Sequence, residues 1–169
     1  MAKEIHFNVS GEAAELLHSD KSLGELFQMA LDEGAQFGNK EGRERFKSGK
    51  WRISNSRRPD VFLLEYENYA VVFVFHIKES PKQIDFTNSH RISFIRGKGS
   101  EALRDLEISL QQLANNKNKS VLVKFLTDGQ EDTKAWLEKF SYQEDPEEVE
   151  GVYGPESWSK TIQPKEKDG

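Results

Sequence analysis

Arg96-Gly97-Lys98-Gly99 stands between a stretch of strand character and a stretch of helix character. Backbone N–H groups at such a turn, with the positive end of the helix dipole, can bind a pyrophosphate. That chemistry depends on Arg96, Gly97 and Gly99, because an anion needs close backbone approach. A second constellation is Pro59-Asp60 followed by His76-Ile77-Lys78. A carboxylate and an imidazole brought together at one end of a hairpin are candidate polar groups for a site there. The start of a hairpin's first strand lies beside the end of its second, so Asp60 and His76 are expected to be neighbours. His6, His18, His76 and His90 are the histidines. Of these, His76 and His90-Arg91 on neighbouring strands can form a general acid–base pair for RNA cleavage.

Two charged segments offer binding instead of catalysis. From Lys40 to Arg58, eight basic residues stand against Glu41 and Glu44, a local net of +6. Arg43, Arg45, Lys47, Lys50 and Arg52 can contact phosphates, and Phe46 and Trp51 can stack on bases. The same residues suit an acidic protein surface or the chain's own acidic end. From Glu144 to Gly169, eight acids stand against three lysines, a local net of −5. Tyr153 and Trp158 in that segment are aromatic anchors among carboxylates, which suits a basic protein surface.

The Arg96–Gly99 turn resembles the pyrophosphate loop of the GNAT acetyltransferase superfamily, which binds acetyl-CoA. The order of elements over residues 61–142 is also similar to that family's. Trp136-Leu137-Glu138-Lys139-Phe140-Ser141-Tyr142 looks like its closing helix. Glu101 stands where the family's loop ends in a small residue. Leu137 aligns with its usual tyrosine acid and Ser141 with its glycine. The spacing of Asp60 and His76-Ile77-Lys78 is similar to the PD-(D/E)XK nuclease signature, with His76 in place of the second carboxylate.

These residues need elements to hold them. Val61–Tyr66 and Val71–Ile77 read as two strands joined at Glu67-Asn68, the second almost wholly apolar and so expected to be covered on both faces. Residues 4–9 suit a strand and 11–17 a short helix. Ser22 stands three residues before Glu25, the capping-box spacing, and Leu23, Leu26, Phe27, Ala30 and Leu31 recur at helical intervals until Gly34. Residues 35–60 read as a loop or short helix leading into a short strand. Ile84–Ile95 is a strand with an interruption near Asn88-Ser89. Leu103, Leu106, Leu110 and Leu113, with Ile108, give an amphipathic helix. Val121–Leu126 is a buried strand, and a last helix carries Trp136, Leu137 and Phe140. The expected fold is a single α+β domain in the order ααβββαβα, with a mostly antiparallel, partly mixed sheet of about five strands packed by helices. Residues 1–143 form that domain. Residues 144–169 are an acidic tail, docked to about residue 159 and then disordered.

Composition sets the outer limits. A chain of 169 residues, 36% hydrophobic and 31% charged, is long enough for one core. The absence of cysteine excludes thiolate metal sites, disulfides and thiol nucleophiles. The polar first residues, Met1-Ala2-Lys3-Glu4-Ile5-His6, lack a signal peptide's apolar run, so a cytoplasmic location is expected. No apolar run is long enough to cross a bilayer. The sequence favours a small protein-binding module, of the kind found among inhibitors, antitoxins and immunity proteins, with another protein as partner and no cofactor. The alternatives are a GNAT-like acyltransferase using acetyl-CoA, and a nuclease or nucleic-acid-binding protein acting through residues 40–58.

Overall fold

A computed structural model describes residues 3–4, 16–18, 21–37, 45–55, 58, 60–127, 131–146 and 156–165. The elements in chain order are β1 (Lys3–Glu4), β2 (Leu16–His18), α1 (Leu23–Glu33), β3 (Ala35–Gln36), β4 (Arg45–Ser48), β5 (Trp51–Asn55), β6 (Val61–Tyr66), β7 (Val71–Glu79), β8 (Gln83–Ser93), α2 (Lys98–Lys117), β9 (Ser120–Leu126), α3 (Glu131–Lys139), β10 (Gln143–Glu144) and β11 (Ser157–Ile162). Nine strands form one sheet in the order β10-β11-β9-β8-β7-β6-β5-β4-β2, while β1 and β3 pair separately. Only the β2–β4 and β8–β9 pairs of the large sheet are parallel. The class is α+β, as the sequence implies, but the sheet is much larger than five strands.

The core lies on one face of this sheet. Phe73, Phe75, Phe86 and Phe125 point to it from three neighbouring strands and meet edge to face, with ring centroids 5.9–6.4 Å apart. Each such contact adds to burial because a ring's positive edge meets its neighbour's negative face. The buried sides of all three helices join this cluster. From α1, Phe27 packs on Phe86 at 5.0 Å. From α3, Trp136 packs on Phe125 at 5.8 Å. Leu103, Leu106, Leu110 and Leu113 bury one side of α2, whereas Ile108 points away and is 70% exposed. The opposite face of the sheet carries Leu63, Val72, Val74, His76 and Leu122, all half-buried. The cover on the second face of β7 is incomplete: Val61 and Glu65 of β6 are buried there, while every second residue of β7 remains partly exposed.

Local signals explain the helices. Ser22 and Glu25 form the reciprocal capping box, and Gly34 ends α1 at φ 64°. Gly24 allows α1 to lie close on α2, since a Cβ there would come within 2.8 Å of the Ser109 carbonyl oxygen.

Three expectations need correction, and one is made specific. Leu16 and Leu17 belong to a strand rather than a helix, because they pair with Arg45 and Phe46. The described residues of 35–60 include three strands, two of them forming a hairpin around Gly49. These strands are short and rich in cations on one side, which hid their alternation. The chain does not become disordered at Lys160. Ser157–Ile162 pairs along the whole of β9 from Leu126 to Val121. Its two-residue partner β10 makes it an interior strand, so the order ααβββαβα omits an entire sheet edge. The interruption near Asn88-Ser89 is a β-bulge, where Phe75 pairs with Asn88 but Val74 pairs with His90.

Candidate functional site

The bulge opens a fork in the sheet. β8 and β9 run parallel from Gln83↔Ser120 to Asn88↔Phe125 and then cease to pair. β8 continues to Ser93, held by β7 alone. Asn88 sits fully buried at the crotch. Its amide donates to the carbonyls of Val74 at 3.2 Å and His90 at 2.9 Å. Arg91 reaches across, donating through Nη1 to the Leu126 carbonyl at 2.8 Å and to Asn88 Oδ1 at 3.3 Å.

Past the fork the chain turns into α2. Gly97 takes φ 85° and gives the helix no side-chain cap. Open space surrounds the position of a Cβ at Gly97, and a Cβ at Gly99 would make only ordinary contact with Ser93. Gly97 is thus required for its backbone conformation, not for room. The β6–β7 turn lies alongside, with three successive non-glycine residues in the left-handed region: Glu67 at φ 45°, Asn68 at 53° and Tyr69 at 68°. Such a run stores strain that its neighbours must hold. Backbone bonds from Glu67 to the Lys50 carbonyl and from Ala70 to the Glu67 carbonyl hold it.

Ion pairs tie these turns together. Lys98 Nζ lies 2.8 Å from Glu67 and 3.1 Å from Glu101, and Lys50 lies 3.2 Å from Glu67. Bonds from Lys98, then Lys50, hold the Glu67 carboxyl below its usual range. Lys98 and then the Tyr66 hydroxyl do the same for Glu101. Lys98 is held well above the usual lysine range. Tyr66 is raised by burial and by Glu101. Both carboxylates are thus charged, paired acceptors, and neither has the raised pKa of a general base. Beside this network, Ile92, Phe94, Ile95 and Tyr69 are 46–67% exposed. Arg52 lies over the Tyr69 ring at 5.4 Å, and Arg96 is exposed.

The other sequence candidates fall elsewhere. His76 Nδ1 is 3.8 Å from Asp60, so the hairpin does bring that pair together, but Lys78 points to solvent. Among the described residues no three His, Asp or Glu side chains gather in a way that could hold a metal ion. His90 lies opposite Val74 and His76 opposite Thr87, on the same half-exposed face. Arg43, Tyr153 and His6 lie outside the described residues, as do the side chains of Arg45 and His18. Lys47 is half-buried and Lys50 exposed. Trp51 is a correction: it is 2% exposed and donates to Asp105 at 2.9 Å, so its ring is not available to a base or a partner. Trp158 likewise packs on the core from β11 rather than standing free. Six strand spacings separate β11 from β4, about 29 Å. The described part of the acidic end therefore does not fold over the basic hairpin. Its carboxylates pair locally, Glu156 with Lys134 at 2.9 Å and Asp145 with Ser157 at 2.7 Å.

Sequence reasoning located the turn and the bulge but missed the groups that join them. Lys98 lies inside the Arg96–Gly99 turn, and its spacing to Glu101 is the available signal. Nothing in the sequence pointed to Arg91 meeting Leu126.

No family model matches the chain, and no curated protein matches it. Among solved structures, one provisionally assigned as a phosphinothricin N-acetyltransferase is similar at 18% identity and a TM-score of 0.37, over 70% of this chain and 75% of that one.

Proposed function

We propose that the fork between β8 and β9 and the turn at Arg96–Gly99 form one site for an acyl-CoA type of thioester. The observation that carries this reading is the parting of two parallel strands beside a helix start. Diverging strands leave backbone groups for an extended, amide-bearing arm, as sheet edges do for peptides. The uncapped first turn of α2 and the exposed Arg96 favour the phosphate end. Glu101 opposes a phosphate, but Lys98 offsets its charge and the Tyr66 hydroxyl donates to it.

The chain's own residues limit the chemistry. Leu137, at the position of the GNAT-like tyrosine, is fully buried and has no proton to give a departing thiolate. No carboxylate of the turn network is poised to deprotonate an amine. The site is therefore read as binding the thioester, with any transfer slow. A second reading, docking of a protein partner, is favoured by the exposed side chains of Tyr69, Ile92, Phe94 and Ile95. The acidic, aromatic end loses Trp158 as an anchor, so the inhibitor, antitoxin and immunity-type readings keep little support.

Titration calorimetry and thermal melting with acetyl-CoA test the first reading. At ligand about 100-fold above Kd, stabilisation of about 2.7 kcal/mol is expected, which raises Tm by about 5–10 °C for a domain of this size. Arg96→Ala should weaken binding about tenfold, by loss of one charged contact. No heat and no shift at millimolar acetyl-CoA would remove the thioester reading and leave the protein-docking one.

A further inference from the structure

The fork is not empty. Val74 of β7, Asn88 and Arg91 of β8 and Leu126 of β9 form one chain of hydrogen bonds across three adjacent strands. It begins where backbone pairing between β8 and β9 ends. We infer that Arg91 is a bolt across the fork, and that a ligand arm entering between the strands displaces its guanidinium.

Geometry and chemistry support this together. Arg91 Nη1 occupies the acceptor that an incoming amide N–H would use, the carbonyl of Leu126. It also engages the side-chain oxygen of a fully buried asparagine, whose amide is already committed to two carbonyls. Arginine suits the task because it stays charged at any working pH and presents several donors in one plane. Lysine has the charge but not the planar fork of donors. Asn88 helps in a different way: its two bonds to Val74 and His90 fix the bulge, and with it the angle at which β8 departs. Arg91 thus closes the fork, while Asn88 is the positioning residue.

The ligand half of this inference rests on the thioester reading, whereas the bolt itself can be tested without ligand. Hydrogen exchange is followed in peptides covering residues 86–94 and 121–127 of the whole chain, in wild type, Arg91→Ala and Arg91→Lys. The lysine variant guards against a fold lost in the alanine one. A bolt predicts exchange at least several-fold faster in both peptides in either variant, with helix peptides unchanged. It also predicts acetyl-CoA binding about tenfold tighter in Arg91→Ala than in wild type, an improvement that a merely structural residue would not give. Faster exchange with no acetyl-CoA binding to any chain supports the bolt and overturns the thioester reading. Unchanged exchange overturns the bolt. Equal acetyl-CoA affinity in wild type and variants overturns displacement.

Discussion

At the residue scale, the two glycines of the Arg96–Gly99 turn have different tasks, and this separates conformation from space. Gly97 sits at φ 85° with nothing near its missing Cβ, whereas Gly99 lies within α2 and has no positive φ. Gly97→Ala should cost about 1–2 kcal/mol through left-handed strain alone. Gly99→Ala should be neutral or should stabilise by about 0.5–1 kcal/mol, since alanine is the better helix residue and the new methyl meets only ordinary contacts. Urea unfolding of both variants measures the difference. Equal losses would mean that close packing, not backbone conformation, selects glycine here. The turn was legible because glycine and cationic residues between a strand and a helix form a local pattern. The Glu67–Lys98–Glu101 network was not, because it joins two turns whose approach is set by the register of β6, β7 and β8. Arg91 was hidden for the same reason: its acceptor on β9 is 35 residues away in sequence.

At the element scale, β7 is the centre of the sheet and its core-facing residues hold the layers together. Phe73 is 1% exposed and meets Trp51, Phe75 and Phe125. Phe73→Ala should cost about 3–5 kcal/mol, from lost transfer energy and the cavity left among rings that cannot collapse freely. A substitution at Val72, half-buried on the opposite face, should cost much less. Comparable losses at both positions would contradict a one-sided core. The β6–β7 hairpin was readable because its apolar run is long and its turn polar. α1 was readable because Ser22 and Glu25 declare its start. β4 and β5 were not, since four or five residues with cations between apolar ones carry little periodicity. Ile108 misled in the other direction. An apolar residue near a leucine stripe looks like part of it, yet two positions from Leu106 and Leu110 it lies on the far side of the helix.

At the scale of the whole molecule, the chain's end completes the sheet. β11 lies between β9 and β10, although it follows both in sequence. Its acidic neighbourhood and polar alternation made it read as a tail, because only tertiary pairing reveals that a mixed segment such as Ser157–Ile162 has a partner. The structure gives it three attachments. Six residue pairs join it to β9. Ile162 is 7% exposed in the core. Lys160 donates to Glu107 of α2 at 3.0 Å and to the Phe140 carbonyl at 2.9 Å. Glu107 in turn accepts from the buried hydroxyl of Tyr142 at 2.9 Å, and burial and then Glu107 push that phenol far above its usual range. Truncation after Ser141 would remove Tyr142 and β11 together. It would expose the edge of β9, a largely apolar strand whose unpaired backbone groups are blunted only by Lys119 and Lys124. The expected result is loss of the cooperative thermal transition, with aggregation, rather than a folded domain that has shed a solubilising end. Truncation after Lys165 should leave the transition in place, since it spares every one of these contacts. Circular dichroism melts and size-exclusion profiles of the two truncated chains decide between the alternatives. A folded, monomeric product ending at Ser141 would show that β11 is dispensable, and that the sheet is complete at β9.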